Sequence, residues 1–258
     1  MDLGLENGVA LVAGSSRGIG LAVARAFLGE GSRVVLTGRD GPNLERARVD
    51  LAAAHGEERV LAWQGDVSAP GSGTEALRVT LDRWGRLDCL VMNAGSGRGK
   101  TGWDLEPGDW QPLFEQNLWS ATRFVHEVLP HLVARHHGSI LFMASIAGLE
   151  ALGAPIPYSA AKAALVSYAG NLARALAPQG LRVNSLAPGN ILFPGGSWEE
   201  HLRRDPDQTN AMIQREVPLG RFGSPEEIAA LAVFLCSDRA SFVTGACLKA
   251  DGGQTRGV

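Results

Sequence analysis

The segment 9-VALVAGSSRGIGLAVARAFLGEG-31 decides the fold of this chain. A short β-branched, apolar run comes first, and it ends in a turn with the spacing G-x-x-x-G-x-G, formed by Gly14, Gly18 and Gly20. Apolar residues then recur at helical spacing as far as Gly31. A glycine-rich turn between a strand and a helix lets backbone N–H groups hold a phosphate. The segment therefore predicts a β-turn-α unit with an anion-binding turn; the alternative is a tight turn with close helix packing.

The rest of the chain repeats this alternation. Apolar runs that read as strands lie at 9–14, 33–38, 59–67, 87–95, 138–145, 181–189 and 245–253, with helical patterns between them. The last helix pattern begins with Ser224 as the expected N-cap and Pro225 at the first position. Apolar strands separated by helices predict an α/β fold, a Rossmann-like doubly wound parallel sheet of about seven strands with helices on both faces. Without a linker or repeat, residues 1–258 are expected to form a single domain.

Composition excludes several classes of protein. The 258 residues are 45% hydrophobic and 20% charged, with a formal net charge of −3, so neither nucleic acid nor an anionic membrane is an expected partner. No apolar run approaches the roughly 20 residues of a membrane helix. The acidic Asp2 and Glu6 stand where a secretory signal carries basic residues. The three cysteines are far apart in sequence and read as buried thiols of a reducing compartment, so we expect a cytoplasmic protein.

A metal site is not expected. His136 and His137 are adjacent, but they precede Gly138 at a helix end, and no acidic or cysteine partner stands at metal-ligand spacing. We interpret both as surface residues.

The end of the second predicted strand, 36-LTGRD-40, bears on cofactor choice. An acidic residue at this point binds the 2′-hydroxyl of an adenosine ribose, whereas arginine suits a 2′-phosphate. Position 38 is glycine, Arg39 follows, and Arg17 lies in the glycine turn. These residues favour NADP; Asp40 keeps NAD as the alternative, and Arg39 as a solvated loop residue is the other interpretation.

A second motif, 158-YSAAK-162, brings a phenol and an ammonium together. Tyr158 and Lys162 are four residues apart, so they share one face of a helix. Only three of the chain's 24 basic residues are lysines, and one of them stands in this apolar context. A phenol has a pKa of about 10, and a neighbouring ammonium is expected to lower it toward a range useful for proton transfer.

Taken together, the glycine turn, 93-NAG-95, Ser145 and 158-YSAAK-162 resemble the short-chain dehydrogenase/reductase family. The resemblance extends to 65-GDVS-68, 116-QNLWS-120, 183-VNSLAPG-189 and 244-TGACLKADGG-253, and so covers nearly the whole chain. Within the family it is closest in pattern to the reductases that include 3-oxoacyl-carrier-protein reductases. The resemblance implies an NADP-dependent enzyme, with NAD as the alternative, that interconverts a ketone or 3-oxo thioester and a secondary alcohol, as a homotetramer or homodimer.

The resemblance also implies roles for individual residues. Tyr158 would be the acid/base, Lys162 would tune it and bind the nicotinamide ribose, Ser145 would bind the substrate oxygen, and Asn117 would hold a proton-relay water. The implied cofactor contacts are Gly14, Ser16, Arg17, Gly18, Ile19, Gly20, Arg39, Asp66, Val67, Asn93, Ala94, Gly95, Tyr158, Lys162, Pro188, Gly189 and Ile191. Each residue also has an ordinary interpretation: Tyr158 as a core tyrosine, Lys162 as a snorkelling lysine, Ser145 as a strand end, Asn117 as a solvent-facing helix residue.

The chain departs from the family pattern at three positions. Ala13 stands where many relatives have threonine, Met92 replaces the first asparagine of N-N-A-G, and Phe193 replaces the threonine that commonly binds the nicotinamide carboxamide. Residues 190–220, a long charged segment, are expected to form a substrate lid, with 96–110 as the opposite rim. An ordinary surface excursion with two short helices is the alternative to the lid.

Two other functions compete with the reductase. A dinucleotide-binding sensor or scaffold would keep the fold without turnover, although it would need no set of Asn117, Ser145, Tyr158 and Lys162. A methyltransferase on a related sheet is disfavoured by the Tyr158/Lys162 pair and by Arg39.

Overall fold

A computed structural model describes residues 2–257 of the chain. Seven parallel strands form one sheet in the order β3-β2-β1-β4-β5-β6-β7. They are β1 (Val9–Ala13), β2 (Arg33–Gly38), β3 (Val60–Gln64), β4 (Cys89–Met92), β5 (Gly138–Met143), β6 (Leu181–Pro188) and β7 (Cys247–Ala250). The strand order reverses direction between β1 and β4, which is the point where ligands bind in doubly wound sheets. The predicted fold class is confirmed.

The helices follow the predicted alternation. They are α1 (Gly18–Gly29), α2 (Gly41–His55), α3 (Ser72–Trp84), α4 (Pro107–Phe114), α5 (Ser120–Arg135), α6 (Ile156–Leu176), α7 (Ser197–Arg204), α8 (Pro206–Glu216) and α9 (Pro225–Cys236). Ser224 caps α9 as predicted: its hydroxyl accepts from Glu227 N, and the Glu227 carboxylate accepts from Ser224 N.

The core has two layers because successive side chains of each strand point to opposite faces of the sheet. On β1, Ala10 and Val12 face the layer formed with α1 and α9, whereas Val9, Leu11 and Ala13 face the layer formed with α5 and α6. The central strands are therefore apolar along their length. Polar side chains lie at the two ends of the sheet, where the strands begin and where they end.

One local feature was not predicted. Between α4 and α5 the chain forms a π-helical turn, Glu115–Trp119, and Asn117 lies in its middle. Single π-turns are rare and are frequent at functional sites. The widened turn therefore gives Asn117 a place in the fold that a regular helix pattern does not indicate.

Within residues 2–257 no helix combines the length and apolar character needed to cross a membrane. The same residues contain no group of three or more His, Cys, Asp or Glu side chains arranged to hold a metal ion.

Candidate active site

The glycine turn has the geometry of a phosphate cradle. Gly14 and Gly18 have φ of +70° and +57°, in the left-handed region that favours glycine. A Cβ on Gly20 would lie 2.3 Å from the Gly14 carbonyl oxygen, so only glycine fits there. Helix α1 starts at Gly18 without a side-chain cap and without an acidic residue in its first turn. Its free N–H groups suit the pyrophosphate of a dinucleotide.

Neighbouring strands hold this turn in place. Gly14 N donates to Thr37 Oγ1 at 2.9 Å, and Ser15 N donates to the Thr37 carbonyl at 2.9 Å. From β4, Asn93 Nδ2 donates to the Gly14 carbonyl at 2.8 Å. Thr37 thus supplies a side-chain hydrogen bond to the turn although Ala13 supplies none. Asn93 links the two strands that flank the switch point.

At the end of β2 the structure distinguishes the two residues that bear on cofactor choice. Asp40 is the N-cap of α2 and accepts from Asn43 N at 3.1 Å and from Asn43 Nδ2 at 2.7 Å. Arg39 is exposed, and its Nη1 lies 3.7 Å from Asp66 Oδ2. Burial raises the pKa of Asp66, but hydrogen bonds from Ser68 and the charge of Arg39 outweigh it and lower that pKa. The carboxylate of Asp40 accepts from Asn43, while Arg39 lies beside Asp66, another of the implied cofactor contacts.

The predicted catalytic side chains converge at the ends of β4 and β5. Ser145 follows β5, and its Oγ accepts from Ala147 N at 3.2 Å. Tyr158 lies in the first turn of α6, close enough to Ser145 that a hydrogen bond from this residue opposes the rise in its pKa. The serine hydroxyl and the phenol are therefore adjacent, as a shared carbonyl oxygen would require.

Lys162 lies one turn further along α6 and is 4% exposed. Its Nζ donates to the Met143 carbonyl at 2.7 Å and stands 5.9 Å from the centroid of the Tyr158 ring. Burial lowers the pKa of Lys162 to about 8. A buried ammonium held by one carbonyl keeps donor capacity for another group.

The expected lowering of the tyrosine pKa is wrong for this structure. Burial raises the pKa of Tyr158, and the hydrogen bond with Ser145 only partly opposes it. Burial is the largest influence on the phenol, while the Lys162 ammonium donates to the Met143 carbonyl and stands 5.9 Å from the centroid of the Tyr158 ring. Near neutral pH the phenol thus holds its proton, the state needed to donate one.

Asn117 joins the same cluster through the π-turn. Its Oδ1 accepts from Ser96 N at 3.1 Å, and its Nδ2 donates to the carbonyls of Ser96 and Leu113 at 2.9 Å each. A Cβ on Gly95 would lie 2.6 Å from Asn117 Oδ1 and 3.4 Å from Lys162 Nζ. Gly95 therefore separates Asn117 from Lys162, and both side chains border the turn after β4.

The remaining predicted cofactor residues lie at the same carboxyl end of the sheet, but they differ in solvent exposure. Gly189 follows β6 and donates to the Ala250 carbonyl at 2.9 Å. Ile191 is only 6% exposed and its side chain packs in the core, so its backbone is the part left for a ligand. Four others are half-buried, in the glycine turn or after the ends of β3 and β4: Ser16, Ile19, Val67 and Ala94. Pro188, the last residue of β6, is buried.

Phe193, one of the departures from the family pattern, has a contact that the sequence did not indicate. A Cβ on Gly18 would lie 2.5 Å from the Phe193 ring, so this ring covers the glycine turn. Beside it, Arg17 Nη1 donates to the Gly195 carbonyl at 3.3 Å. The start of the 190–220 segment thus lies directly on the proposed cofactor loop.

Comparison with known proteins agrees with this geometry. Residues 13–255 match the family model described as enoyl-(acyl carrier protein) reductase. The 3-oxoacyl-[acyl-carrier-protein] reductase FabG of Escherichia coli is 34% identical over 252 residues, 98% of this chain and 99% of that protein. The chain belongs to the short-chain dehydrogenase/reductase family.

Two further members show how broad this similarity is. A (2S)-[(R)-hydroxy(phenyl)methyl]succinyl-CoA dehydrogenase subunit, BbsD, of Thauera aromatica is 35% identical, with 98% of each chain covered. The L-sorbose reductase of Gluconobacter frateurii, solved with NADPH and L-sorbose, superposes with a TM-score of 0.92 at 33% identity, covering 100% of each chain. As a member of this family, the chain is an NAD(P)-dependent oxidoreductase that interconverts a ketone and a secondary alcohol. Membership also excludes the methyltransferase interpretation.

Proposed function

We propose that this short-chain dehydrogenase/reductase is a reductase that prefers NADPH and protonates its ketone substrate from Tyr158. The observation that carries the proposal is the convergence of Ser145, Tyr158 and Lys162 beside the glycine turn. When bound, the nicotinamide supplies the hydride. The protein's own groups bind, orient and protonate.

The proton chemistry follows from burial. Because burial raises its pKa, Tyr158 holds a proton near neutrality and can give it to an oxygen that Ser145 also bonds. The buried Lys162 is the nearest cation to the phenolate that remains, and it stabilises that charge in a site of low dielectric. In the direction of alcohol oxidation the phenol must first lose its proton, so the raised pKa favours reduction near neutral pH.

Asn117 acts in this proposal as a positioning residue and as the holder of a relay water. Its amide binds the backbone of Ser96 on both sides, which fixes the turn after β4 against α4. Proximity of Gly95 to both Asn117 and Lys162 supports a proton path from Lys162 toward this turn.

The preference for NADPH rests on the end of β2. Asp40 caps α2, with both carboxylate oxygens accepting from Asn43, whereas Arg39 is exposed beside Asp66. Arg17 projects from the cradle itself and keeps donors beyond the one given to Gly195. Two guanidinium groups without a free carboxylate suit a 2′-phosphate.

The substrate is proposed to be a ketone, with a 3-oxo thioester as the second class. Three basic side chains that would attract the phosphates of a thioester carrier are already in ion pairs: Arg98 with Glu200, Lys100 with Asp109 and Arg203 with Glu199. A fourth, Arg204, contacts His201 rather than a carboxylate. Because exposed ion pairs contribute about 1 kcal/mol or less, the pairing does not decide between the two classes, and the relatives named above include acyl-thioester enzymes.

A matched pair of variants tests the enzyme assignment. The chain has two tyrosines, both on α6, and Tyr168 packs its ring edge-on against Phe142 away from the site. NADPH oxidation is measured on aliphatic and cyclic ketones and on a 3-oxoacyl thioester. Tyr158→Phe is expected to lose activity by a factor of about a hundred or more, while Tyr168→Phe retains it. Equal rates for Tyr158→Phe and wild type would support the sensor or scaffold instead.

We also propose that residues 190–220 form a substrate lid on a single-domain enzyme. Helices α7 and α8 make up most of this segment, which is also what the alternative, an ordinary surface excursion with two short helices, expects. Phe193 covers Gly18, Arg17 bonds Gly195, and Arg98 of the opposite rim pairs with Glu200 of α7. These contacts link the segment to both sides of the site.

The ion pair offers a test of the lid. Exposed pairs contribute about 1 kcal/mol or less, so Glu200→Gln is expected to raise KM for the ketone by about two- to fivefold. Glu75→Gln, which breaks a similar exposed pair with Arg78 on α3, is the control and should change nothing in the kinetics. If both variants behave alike, the Arg98–Glu200 pair has no part in closing the site.

The protein is further proposed to be a cytoplasmic homotetramer or homodimer. Its cysteines are free thiols, as in reducing compartments. Large apolar side chains stand exposed on separate surfaces, among them Trp119 beside α5 and Phe242 before β7. Light scattering at micromolar concentration tests the assembly, and a single species of monomer mass would refute it.

A further inference from the structure

Two cysteines lie close together at the amino end of the sheet, the end opposite the active site. Cys89 begins β4 and Cys236 ends α9, and each is 4% exposed. The Cys89 Sγ lies 3.7 Å from the Cys236 carbonyl oxygen, and the two thiols are close enough to act as hydrogen-bond partners. They are separated by 147 positions in the sequence, so only the fold brings them together.

A cavity of about 380 Å³ reaches both thiols. Its deeper wall includes Cys89, Cys236 and Ser139, all buried, and its outer wall includes the exposed residues Glu6 and His137. Buried thiols are ordinarily inert because reagents cannot reach them. Here both cysteines line a cavity that is separate from the active site and large enough for a molecule of a few atoms.

The electrostatic surroundings differ between the two thiols. Contact with Cys89 and the guanidinium of Arg182 lower the pKa of Cys236 against the opposing effect of burial. The partner thiol, burial and the charge of Asp88 together raise the pKa of Cys89. Arg182 donates to the carbonyls of Leu235 and Ser237 rather than to a carboxylate, so its charge is not neutralised locally. Because Arg182 bonds the backbone on both sides of Cys236, whereas the acidic Asp88 directly precedes Cys89, Cys236 is the better nucleophile of the two.

We propose that Cys89 and Cys236 are an oxidation site, forming a reversible disulfide when a small hydroperoxide enters the cavity at the amino end of the sheet. This inference is independent of the reductase activity. It assigns the cavity a ligand class, the hydroperoxides, and assigns the pair distinct roles, with Cys236 reacting first and Cys89 resolving.

The reaction balances with hydrogen peroxide as the oxidant. The Cys236 thiol loses its proton and the thiolate attacks one peroxide oxygen. The O–O bond breaks, the other oxygen leaves as hydroxide and takes up that proton as water, and a sulfenic acid remains on Cys236. The Cys89 sulfur then attacks the Cys236 sulfur, the S–O bond breaks, and the hydroxide released takes the Cys89 proton as water. Two thiols lose two electrons in total, and one peroxide is reduced to two waters.

Thiol mapping on the full-length protein tests the proposal. The folded protein is treated with hydrogen peroxide, unfolded in an alkylating reagent, digested and analysed by non-reducing mass spectrometry. We expect a peptide cross-linked between Cys89 and Cys236, an alkylated Cys247, and reversal by dithiothreitol. Because the bond closes a very long loop, the oxidised protein should also melt about 5 °C or more above the reduced one.

Single substitutions separate the two roles. Cys89→Ser should leave a sulfenic acid on Cys236 that dimedone traps, whereas Cys236→Ser should react at least about tenfold more slowly at Cys89. Cys247→Ser, which changes the half-buried third cysteine, should form the cross-link as wild type does. Three free thiols after peroxide treatment of wild type, a sulfenic acid without a cross-link, or a disulfide through Cys247 would each overturn the proposal, whether or not the variants fold.

Discussion

The two ends of the sheet each bury a charged side chain, and the fold treats them differently. At the amino end, Asp88 is 6% exposed and accepts hydrogen bonds from Val9 N at 2.9 Å, from Arg86 at 2.8 Å and from Arg135 at 3.0 Å. At the carboxyl end, Lys162 is 4% exposed, and its ammonium bonds a single neutral carbonyl, that of Met143.

The difference separates a structural charge from a functional one. Burying an ion is costly unless an opposite charge and hydrogen bonds compensate it. Asp88 has two guanidinium groups and a backbone N–H, so its burial ties β1, β4 and α5 together. Lys162 has no comparable partner, and its pKa falls to about 8 because of burial. An uncompensated buried charge beside a binding site is typical of a group that serves chemistry at the expense of stability.

The largest expected effect follows from removing the functional charge. Lys162→Met should reduce NADPH-dependent ketone reduction by a factor of about a hundred or more, because the phenolate at Tyr158 loses its cation. The melting temperature at pH 7 should not fall. Lys249→Met, which removes a half-buried lysine that also bonds a carbonyl, that of Gly257, should keep its activity. If Lys162→Met were active but less stable than wild type, Lys162 would be a structural charge and not a functional one.

Removing the structural charge should give the opposite pattern. Asp88→Asn leaves Arg135 partly buried without its carboxylate, so the free energy of unfolding should fall by about 3 kcal/mol in denaturant titrations. Turnover of the folded protein should stay close to that of wild type. Asp82→Asn breaks an exposed pair with Arg78 and should cost less than about 1 kcal/mol. Equal losses in the free energy of unfolding for Asp88→Asn and Asp82→Asn would mean that burial does not make the ion pairs of Asp88 stronger than an exposed pair.

The lowered pKa of Lys162 makes the free energy of unfolding depend on pH. Lys162 releases its proton near pH 8 in the folded chain and at its ordinary value of 10.5 when unfolded. Below pH 8 both states hold the proton and the folded state bears the full cost of burial. Between these values the unfolded chain binds more protons, so stability rises with pH. From pH 7 to pH 10 wild type should gain about 2 kcal/mol relative to Lys162→Met, measured as paired unfolding curves. A constant difference would contradict the lowered pKa.

The smallest effect concerns two arginines at the ends of β2, the exposed Arg39 and the half-buried Arg33. Arg39→Ala, just past the carboxyl end, should raise KM for NADPH about tenfold and leave KM for NADH nearly unchanged, because a hydrogen bond to a charged group is lost. Arg33→Ala, at the amino end of the same strand, should alter neither constant. If NADH is the better cofactor for both wild type and Arg39→Ala, the proposed preference is wrong.

Much of the fold was predictable because it depends on local pattern. The β-branched runs, the helical periodicity and glycines with positive φ specify strands, helices and the cofactor turn within short windows of sequence. The Ser224 cap and the Tyr158/Lys162 spacing are equally local, since one helical turn fixes their geometry. Ser145 and Asn117 were predicted from the family resemblance, because no short stretch of sequence contains them together with Tyr158 and Lys162.

What local pattern could not give was the environment of each group. The π-turn at Asn117 has no sequence signal in this chain, and Phe193 contacts Gly18 only because the chain returns to the same end of the sheet 175 positions later. The sign of the pKa change at Tyr158 was wrong from sequence because spacing places Lys162 nearby but does not say which atom its ammonium bonds.

The sequence by itself determined that this chain forms a doubly wound parallel sheet with a glycine turn, a tyrosine and a lysine one helical turn apart. Only the packing of distant segments against one another shows that the phenol keeps its proton, that Lys162 bonds a carbonyl while Asp88 pairs with two guanidinium groups, and that Cys89 contacts Cys236. The physical reason is that desolvation and charge pairing depend on every neighbour within a few ångströms, and most of those neighbours come from distant parts of the chain.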